Sequence, residues 1–205
     1  VFAILLRESL RMCIFFCTFA HANVVYMTVN DYIAANRERF LSEWGSLIRI
    51  PSVSCEQEHQ PDMLRCANRW CELLLEAGCQ HAEVMPAPTG DGNPFVFAEY
   101  TPNDQMVNIP TVLVYAHYDV MPVAPLELWQ SDPWEPTIRD GRLYARGADD
   151  DKGQAMIQAK AFEYMVHEGL MRCHVKFIFE GEEEIDTPSL TAFIKKNKEI
   201  QPCDV

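Results

Sequence analysis

The 205-residue sequence has few basic side chains: 17 Lys and Arg stand against 30 Asp and Glu, which gives a formal net charge of −13. Binding to nucleic-acid phosphates needs a basic surface, so this charge argues against a DNA or RNA partner. Most of the acidic side chains are expected to form a solvated surface. Two acidic clusters, Asp149-Asp150-Asp151 and Glu182-Glu183-Glu184, are candidates for a chemical role instead.

Cysteine pairs with metal-binding spacing are also lacking, because none of the eight cysteines forms a Cys-x-x-Cys pair. A chain of this length can bury a core without a disulfide framework, so scattered reduced thiols in a cytoplasmic protein are predicted.

The sequence motifs of other hydrolase classes are missing too. The sequence has no Gly-x-Ser-x-Gly motif, and His167-Glu168 lacks the second histidine of a zincin motif.

The N-terminal region has no apolar run long enough to span a bilayer, and no membrane association is predicted. Residues 11–22 nevertheless combine a basic residue, a short apolar run and an Ala-x-Ala ending, as a secretory signal peptide does. The alternative is that residues 1–26 are an upstream extension and that Met27 is the natural start. We favour the second interpretation; the first would make the protein secreted.

Hydrophobic spacing along the rest of the chain predicts alternating helices and strands. The predicted helices run from Asn30, as N-cap, to before Pro51, from about Pro61 to Gly78, from Gly153 to about His167, and from Pro188 to about Lys198. The predicted strands are Pro94 to Tyr100, Thr111 to Ala116, His174 to Phe179 and a hairpin around Asp140-Gly141. This alternation is typical of an α/β fold with a mostly parallel central sheet flanked by helices.

The strand over Thr111 to Ala116 is almost continuously apolar, which predicts burial on both faces. His117-Tyr118-Asp119 follows it directly. Ligands of α/β sheets bind beyond the carboxyl ends of the strands, and residues i and i+2 of an extended chain share a face. A metal-bound histidine usually donates its other ring N–H to a carboxylate. We therefore expect His117 to be a ligand that Asp119 orients, although a lone histidine there is more often structural.

The second candidate is the acidic run Asp149-Asp150-Asp151, between a predicted strand and a predicted helix. Three consecutive carboxylates repel one another, and a bound cation would remove this repulsion, since one carboxylate can bridge two metals. A solvated loop is the alternative interpretation, and for Asp149 we accept it.

The third candidate is the Glu182-Glu183-Glu184 run after the strand that ends at Phe179. Adjacent strand residues point to opposite faces, so Glu183 and Glu184 converge only where the chain has left the sheet, and Gly181 permits that turn. One converging acid binds a metal while the other stays free as a general base. An acidic surface loop is the better interpretation of such a triplet taken alone, but three motifs after three predicted strands favour a metal centre with nitrogen and oxygen ligands.

The stretches Leu113 to Pro122, Trp129 to Gly153 and Phe177 to Ile185 resemble the dinuclear zinc peptidase family of carnosinase, glutamate carboxypeptidase, aminoacylase and succinyl-diaminopimelate desuccinylase. The resemblance runs from about Ile33 to the end of the sequence. The Trp129 to Pro136 segment is most similar to the dipeptidase branch. The resemblance implies hydrolysis of a peptide bond, with an N-acyl-amino-acid deacylase or desuccinylase, or an inactive metal-binding homologue, as alternatives.

The family resemblance also implies a role for each candidate residue. It implies that His117 binds one zinc ion, that Asp150 bridges two, that Glu184 binds the other, that Glu183 is the general base and that Asp119 orients His117. Cobalt and manganese are alternatives to zinc.

Two local features of the family bear on this sequence. Family members have a cis peptide after the bridging aspartate, which here is the Asp150–Asp151 bond. Asp186 stands where the family often has glycine, so the turn after the glutamate pair is expected to differ in shape.

The family's remaining parts have no counterpart in the matched motifs. Members use two further metal ligands and a lid and dimerisation domain, so residues 27–205 are interpreted as the N-terminal portion of a catalytic domain that is C-terminally incomplete. A dipeptide or N-acyl amino acid is the expected substrate, and a homodimer through the missing domain is the expected assembly.

Overall fold

The structure, a computed structural model, describes residues 26–102, 108–200 and 202–205. Its helices are α1 (Val29–Ile48), α2 (Gln60–Glu76), α3 (Lys152–His167) and α4 (Leu190–Lys196). Its strands are β1 (His81–Met85), β2 (Phe95–Tyr100), β3 (Thr111–His117), β4 (Thr137–Arg139), β5 (Arg142–Tyr144) and β6 (His174–Glu180). Short 3₁₀ helices cover Gln57–His59, Leu126–Leu128 and Glu183–Ile185. The predicted extension or signal-like segment lies outside the described residues as far as residue 25.

The predicted helices and strands are confirmed, with small differences at their ends. The N-cap of α1 is Thr28 rather than Asn30, since the Thr28 side chain accepts a hydrogen bond from the backbone N–H of Asp31. Gly78 ends α2 with a φ of +115°, a conformation that favours glycine. Strand β1 was not predicted, because it is a short, half-exposed edge strand with weak hydrophobic patterning.

The central sheet has the strand order β1-β2-β6-β3. β3 pairs with β6 in parallel, whereas β1 with β2 and β2 with β6 pair antiparallel. The expected parallel arrangement therefore holds for the pair β3 and β6, and the described sheet as a whole is mixed. A short connection between β1 and β2 suits antiparallel pairing, because parallel neighbours need a longer crossover.

The prediction that β3 is buried on both faces is wrong. β3 lies at the edge of the described sheet, and Tyr115 is 45% exposed. Of the residues that the structure describes, only 204–205 pair with its outer edge, where the backbone N–H of Leu113 donates to the Val205 carbonyl at 2.8 Å. An apolar sequence alone cannot distinguish a strand with two neighbours from one at an edge.

The core lies on both faces of the central sheet. On one face Phe177 and Phe179 pack against α2 and α3, and the Phe179 ring meets Trp70 edge-on at 4.8 Å. On the other face Phe95 stacks on Phe193 of α4, with 3.9 Å between ring centroids. Each fully buried aromatic side chain contributes about 1.5–3 kcal/mol to stability.

Among the described residues, no helix combines the length and the apolar character needed to cross a membrane.

The start of α3 is anchored to the end of α1 by Lys152. This side chain is fully buried, and its Nζ donates to the carbonyls of Leu47 at 3.0 Å and Ile50 at 2.7 Å. Lys152 directly follows the Asp149–Asp151 run, so the anchor fixes where these acids lie.

The Asp149–Asp151 run follows β5, which belongs to a separate hairpin with β4. Only two of the three motifs therefore follow strands of the central sheet.

Candidate metal centre

The candidate centre lies where β3 and β6 end. His117 and Glu180 are register partners in this parallel pair, and the backbone N–H of Tyr118 continues the pairing to the Glu180 carbonyl at 2.9 Å. Parallel strands present their carboxyl ends on the same side of the sheet, which brings the His117–Asp119 and Glu183–Glu184 motifs together.

The His117 imidazole is buried between carboxylates on both of its ring nitrogens. Its Nδ1 lies 3.3 Å from Asp119 Oδ1 and 3.2 Å from the Asp119 carbonyl oxygen. Its Nε2 lies 3.1 Å from Asp150 Oδ1 and 3.7 Å from Glu183 Oε2. One nitrogen is thus held by Asp119, and the other faces the remaining acids.

Asp119 is fully buried and joins the two motifs. The backbone N–H groups of Glu183 and Glu184 donate to its two carboxylate oxygens, at 3.2 Å and 3.1 Å respectively. The 3₁₀ turn that carries these two glutamates is therefore tied to the end of β3. The predicted exit of the chain from the sheet after Phe179 is confirmed, since β6 ends at Glu180 and the turn begins at Glu183.

Gly181 has a different role from the predicted one. It is not among the residues with positive φ, but a Cβ there would lie 2.5 Å from the Tyr118 hydroxyl. Its position needs glycine because the backbone approaches Tyr118 closely. The left-handed residues of this turn are Asp186, with a φ of 66°, and Thr187, with a φ of 49°, which explains why glycine suits position 186.

The surrounding acids raise the pKa of His117. Burial lowers this pKa, but the hydrogen bond to Asp119 and the charges of Asp119, Asp151 and Glu183 outweigh burial and raise it to about 9. A pKa of about 9 favours the protonated imidazole at neutral pH. A metal ion bound at Nε2 would replace that proton.

The other candidate ligands lie towards solvent. The Asp150 side chain is 73% exposed and that of Glu183 45%. Glu184 is partly buried; burial first, and then the negative charge of Asp150, raise the pKa of its carboxyl group. The structure thus brings Asp150 and Glu183 each within 4 Å of His117 Nε2, and the charge of Asp150 acts on the Glu184 carboxyl group.

Asp151 belongs to the centre, although sequence reasoning gave it no role. Its Oδ2 accepts a hydrogen bond from the backbone N–H of His117 at 3.1 Å. Burial raises its pKa to about 6, partly offset by that hydrogen bond and by the charge of His117. The Asp150–Asp151 peptide is cis, which confirms the expectation taken from the family resemblance. Asp149 is exposed, as expected of a solvated loop residue.

Two buried glutamates, Glu180 at the end of β6 and Glu182 in the third motif, were also missed. Burial raises the pKa of Glu180 to about 7, partly offset by the hydrogen bond that the Tyr115 hydroxyl donates to its Oε1. Glu182 is 2% exposed and accepts backbone N–H groups with both carboxylate oxygens. The sequence does carry a signal for Glu180: it directly follows the apolar residues Phe177 to Phe179, so it could have been predicted as the last, buried residue of that strand.

A divalent metal ion fits these residues by the chemistry of the donors and by their arrangement. His117 Nε2 and an oxygen of the Asp150 carboxylate lie 3.1 Å apart, and the Asp119 carboxylate holds the other nitrogen of the same imidazole. A bound cation would offset the repulsion among the negative charges of Asp150, Glu183 and Glu184.

Within the described residues, a second group of possible metal ligands lies outside the candidate centre, and its ligand atoms are closer to one another than those of the centre. One ligand-type atom from each of Glu56, Glu58 and His59 lies within 4.8 Å of the others. Glu58 is 81% exposed at its side chain, and the group sits on a short 3₁₀ helix at the surface. Exposed acidic groups of this kind are common without a metal.

Comparison with known proteins adds independent evidence, because residues 113–204 match peptidase family M20/M25/M40. The chain belongs to this family. The match begins in β3 and covers all three candidate motifs. The family predicted from the sequence is therefore confirmed, and membership implies a divalent metal.

Two curated relatives of this M20-family chain are named as peptidases. A probable di- and tripeptidase of Saccharomyces cerevisiae is 30% identical over 177 residues, which are 83% of this chain and 20% of the relative. A cysteinylglycine-S-conjugate dipeptidase of Corynebacterium striatum is 32% identical over 179 residues, which are 87% of this chain and 38% of the relative. This chain thus spans well under half the length of either relative.

A solved M20-family structure has the same fold. The metallo-carboxypeptidase Sso-CP2 of Sulfolobus solfataricus superposes with a TM-score of 0.72 at 32% identity, over 80% of this chain and 36% of that one. The predicted α/β class, with a central sheet flanked by helices, is confirmed. The predicted lid and dimerisation domain stays a prediction.

Proposed function

We propose that the complete protein containing this chain is a metal-dependent hydrolase that cleaves dipeptides. The observation that carries the proposal is the His117 imidazole, held by Asp119 at Nδ1 and facing Asp150 and Glu183 from Nε2. Family membership and the names of the relatives support a peptide substrate.

The proposed ligands within this chain are His117, Asp150 and Glu184. Asp150 would bridge the two zinc ions, as the family resemblance implies; its exposed carboxylate lies 3.1 Å from His117 Nε2. The remaining ligands of the pair are proposed to come from outside this chain. When bound, zinc would polarise the scissile carbonyl and lower the pKa of the attacking water.

Glu183 is the proposed general base. Its Oε2 lies 3.7 Å from His117 Nε2, beside the proposed ligand, and its side chain is open to solvent and substrate. It takes a proton from the attacking water and returns it to the leaving nitrogen. Such proton transfer contributes about 10²–10⁴-fold to the rate.

Asp119 has the proposed role of orienting His117. Its carboxylate fixes which imidazole nitrogen is free to bind the metal. It also holds the turn that carries Glu183 and Glu184, through their backbone N–H groups.

An N-acyl-amino-acid deacylase or desuccinylase is the second candidate, because its hydrolytic chemistry would use the same residues. The names of the curated relatives described above favour dipeptides. A cytoplasmic homodimer is the assembly and location we propose for the dipeptidase.

The test compares the zinc-loaded complete protein with its Glu183→Ala variant. We expect the wild-type protein to hydrolyse dipeptides faster than N-acyl amino acids, and Glu183→Ala to bind zinc normally but lose about 10²–10⁴-fold in kcat. Zinc content and dipeptide turnover are the measurements. Full turnover by Glu183→Ala would contradict the general-base role, and turnover of N-acyl amino acids alone would favour the second candidate.

A further inference from the structure

Glu182 is the one member of the glutamate triplet that points inward. It is 2% exposed, and its two carboxylate oxygens accept the backbone N–H of Asn93 at 2.8 Å and of Ser189 at 2.9 Å. Its carbonyl oxygen accepts the backbone N–H of Ile185 at 3.1 Å and of Thr187 at 2.8 Å. One residue thus fixes four backbone N–H groups.

These contacts join three separate segments. Asn93 lies in the connection between β1 and β2, Ser189 immediately precedes α4, and Ile185 ends the 3₁₀ turn that carries the site glutamates. Asn93 adds a second link, since its Nδ2 donates to the Gly181 carbonyl at 2.8 Å. Hydrogen bonds from backbone N–H groups to an ionised carboxylate are stronger than neutral ones.

The carboxylate of Glu182 has no room to move towards the β1–β2 connection. A Cβ added at Gly92 would lie 2.5 Å from Glu182 Oε1 and 2.4 Å from Ser189 Oγ. Only a hydrogen atom fits at this point, so Glu182 is held sterically as well as by its hydrogen bonds.

The position of Glu182 sets the position of the two residues that follow it. The backbone N–H groups of Glu183 and Glu184 point at Asp119, with hydrogen bonds of 3.2 Å and 3.1 Å. We propose that Glu182 is a positioning residue, which holds this turn so that Glu183 faces the reacting water and Glu184 faces the metal. This inference rests on the proposed function.

The test uses Glu182→Gln in the zinc-loaded complete protein. The amide keeps the size of the side chain but directs its NH₂ group at one of the two backbone N–H groups. We expect kcat to fall about 10–100-fold, because small displacements of reacting groups have effects of this size, and KM to stay within about twofold. We also expect zinc affinity, measured by competition with a chelator, to fall about tenfold as the Glu184 turn shifts.

Thr89→Val is the matched control. Thr89 Oγ1 and Ser189 Oγ lie 2.9 Å apart, so this hydrogen bond joins two of the same segments without involving Glu182. We expect Thr89→Val to keep wild-type kcat and zinc affinity, even where its melting temperature falls. A loss of kcat in Thr89→Val equal to that in Glu182→Gln would show a general effect of loosening these segments, and would overturn the positioning role.

Gly92→Ala is a second variant, which displaces the Glu182 carboxylate without altering it, and it decides the question if Glu182→Gln does not fold. The expected result is the same loss of kcat and zinc affinity. Wild-type kcat and zinc affinity in the folded variants, with only a lower melting temperature, would overturn the proposal. Glu183→Ala, measured alongside, separates the two claims: if it retains turnover, the proposed function itself fails.

Discussion

At the scale of single residues, Asp119 connects the two strand ends that form the centre. Its carboxylate is fully buried, lies 3.3 Å from His117 Nδ1 and accepts the backbone N–H groups of Glu183 and Glu184. It is surrounded by hydrogen-bond donors, so an amide in its place would oppose at least one of them. In the proposed function, Asp119 would therefore act on the metal indirectly, through the orientation of the proposed ligands.

Replacing Asp119 by Asn tests this role. We expect zinc affinity to fall about 10–100-fold, the usual effect of removing a carboxylate that orients a histidine ligand. The measurement is competition with a zinc chelator in the complete protein. Asp149→Asn is the matched control, since Asp149 is an exposed carboxylate next to the same site, and it should bind zinc as the wild type does. Equal affinity in Asp119→Asn and the wild type would contradict the orienting role.

The sequence predicted some of the contacts at the candidate centre and not others, for reasons that differ from motif to motif. Alternation along an extended chain predicts that His117 and Asp119 share a face, and the structure has them in contact. Within the acidic runs, alternation says nothing about which carboxylate is buried. The inward positions of Asp151 and Glu182 depend on hydrogen bonds to distant segments, which the sequence does not reveal.

At the scale of secondary structure elements, the start of α3 determines where Asp150 lies. The loop that carries Asp150 follows a hairpin strand outside the central sheet, so the sheet alone does not position it. Lys152 anchors the helix to the end of α1, and Gly153 allows the helix to pass the Ala148 carbonyl. The loop that carries Asp150 is therefore positioned mainly by the start of α3, where Lys152 is anchored.

Replacing Gly153 by Ala should weaken this arrangement. A Cβ there would lie 2.1 Å from the Ala148 carbonyl oxygen, a backbone atom that moves only with the loop. We expect the free energy of unfolding to fall by about 3 kcal/mol, as for severe overpacking, measured by urea titration. The control is Gly169→Ala, where φ is +65° and no atom is within 4 Å, so only about 1–2 kcal/mol of backbone strain is expected. A loss in Gly153→Ala no larger than the control's would contradict the steric argument.

The predictions for elements were reliable where the pattern was local. Helical spacing and the glycine after α2 predicted α1 to α3 to within a few residues. The arrangement of the strands was less predictable, because pairing direction and edge position depend on contacts between distant segments. This explains why β1 was missed and why the exposure of β3 was not expected.

At the scale of the whole molecule, the chain corresponds to only part of the length of its family relatives. It spans 20% and 38% of the two curated relatives described, and 36% of the solved carboxypeptidase. The described residues contain two places with grouped ligand-type side chains. One is the centre at the ends of β3 and β6, and the other is the surface group Glu56, Glu58 and His59.

The measurement that most directly tests the central claim is the location of bound zinc in crystals of the complete protein, found by anomalous scattering at the zinc edge. We predict zinc within about 2.0–2.2 Å of His117 Nε2 and of carboxylate oxygens of Asp150 and Glu184, the usual zinc–nitrogen and zinc–oxygen distances. The same experiment on His117→Ala should show the anomalous signal next to residue 117 reduced or lost. Zinc bound only at Glu56, Glu58 and His59, with none at His117, would contradict the claim.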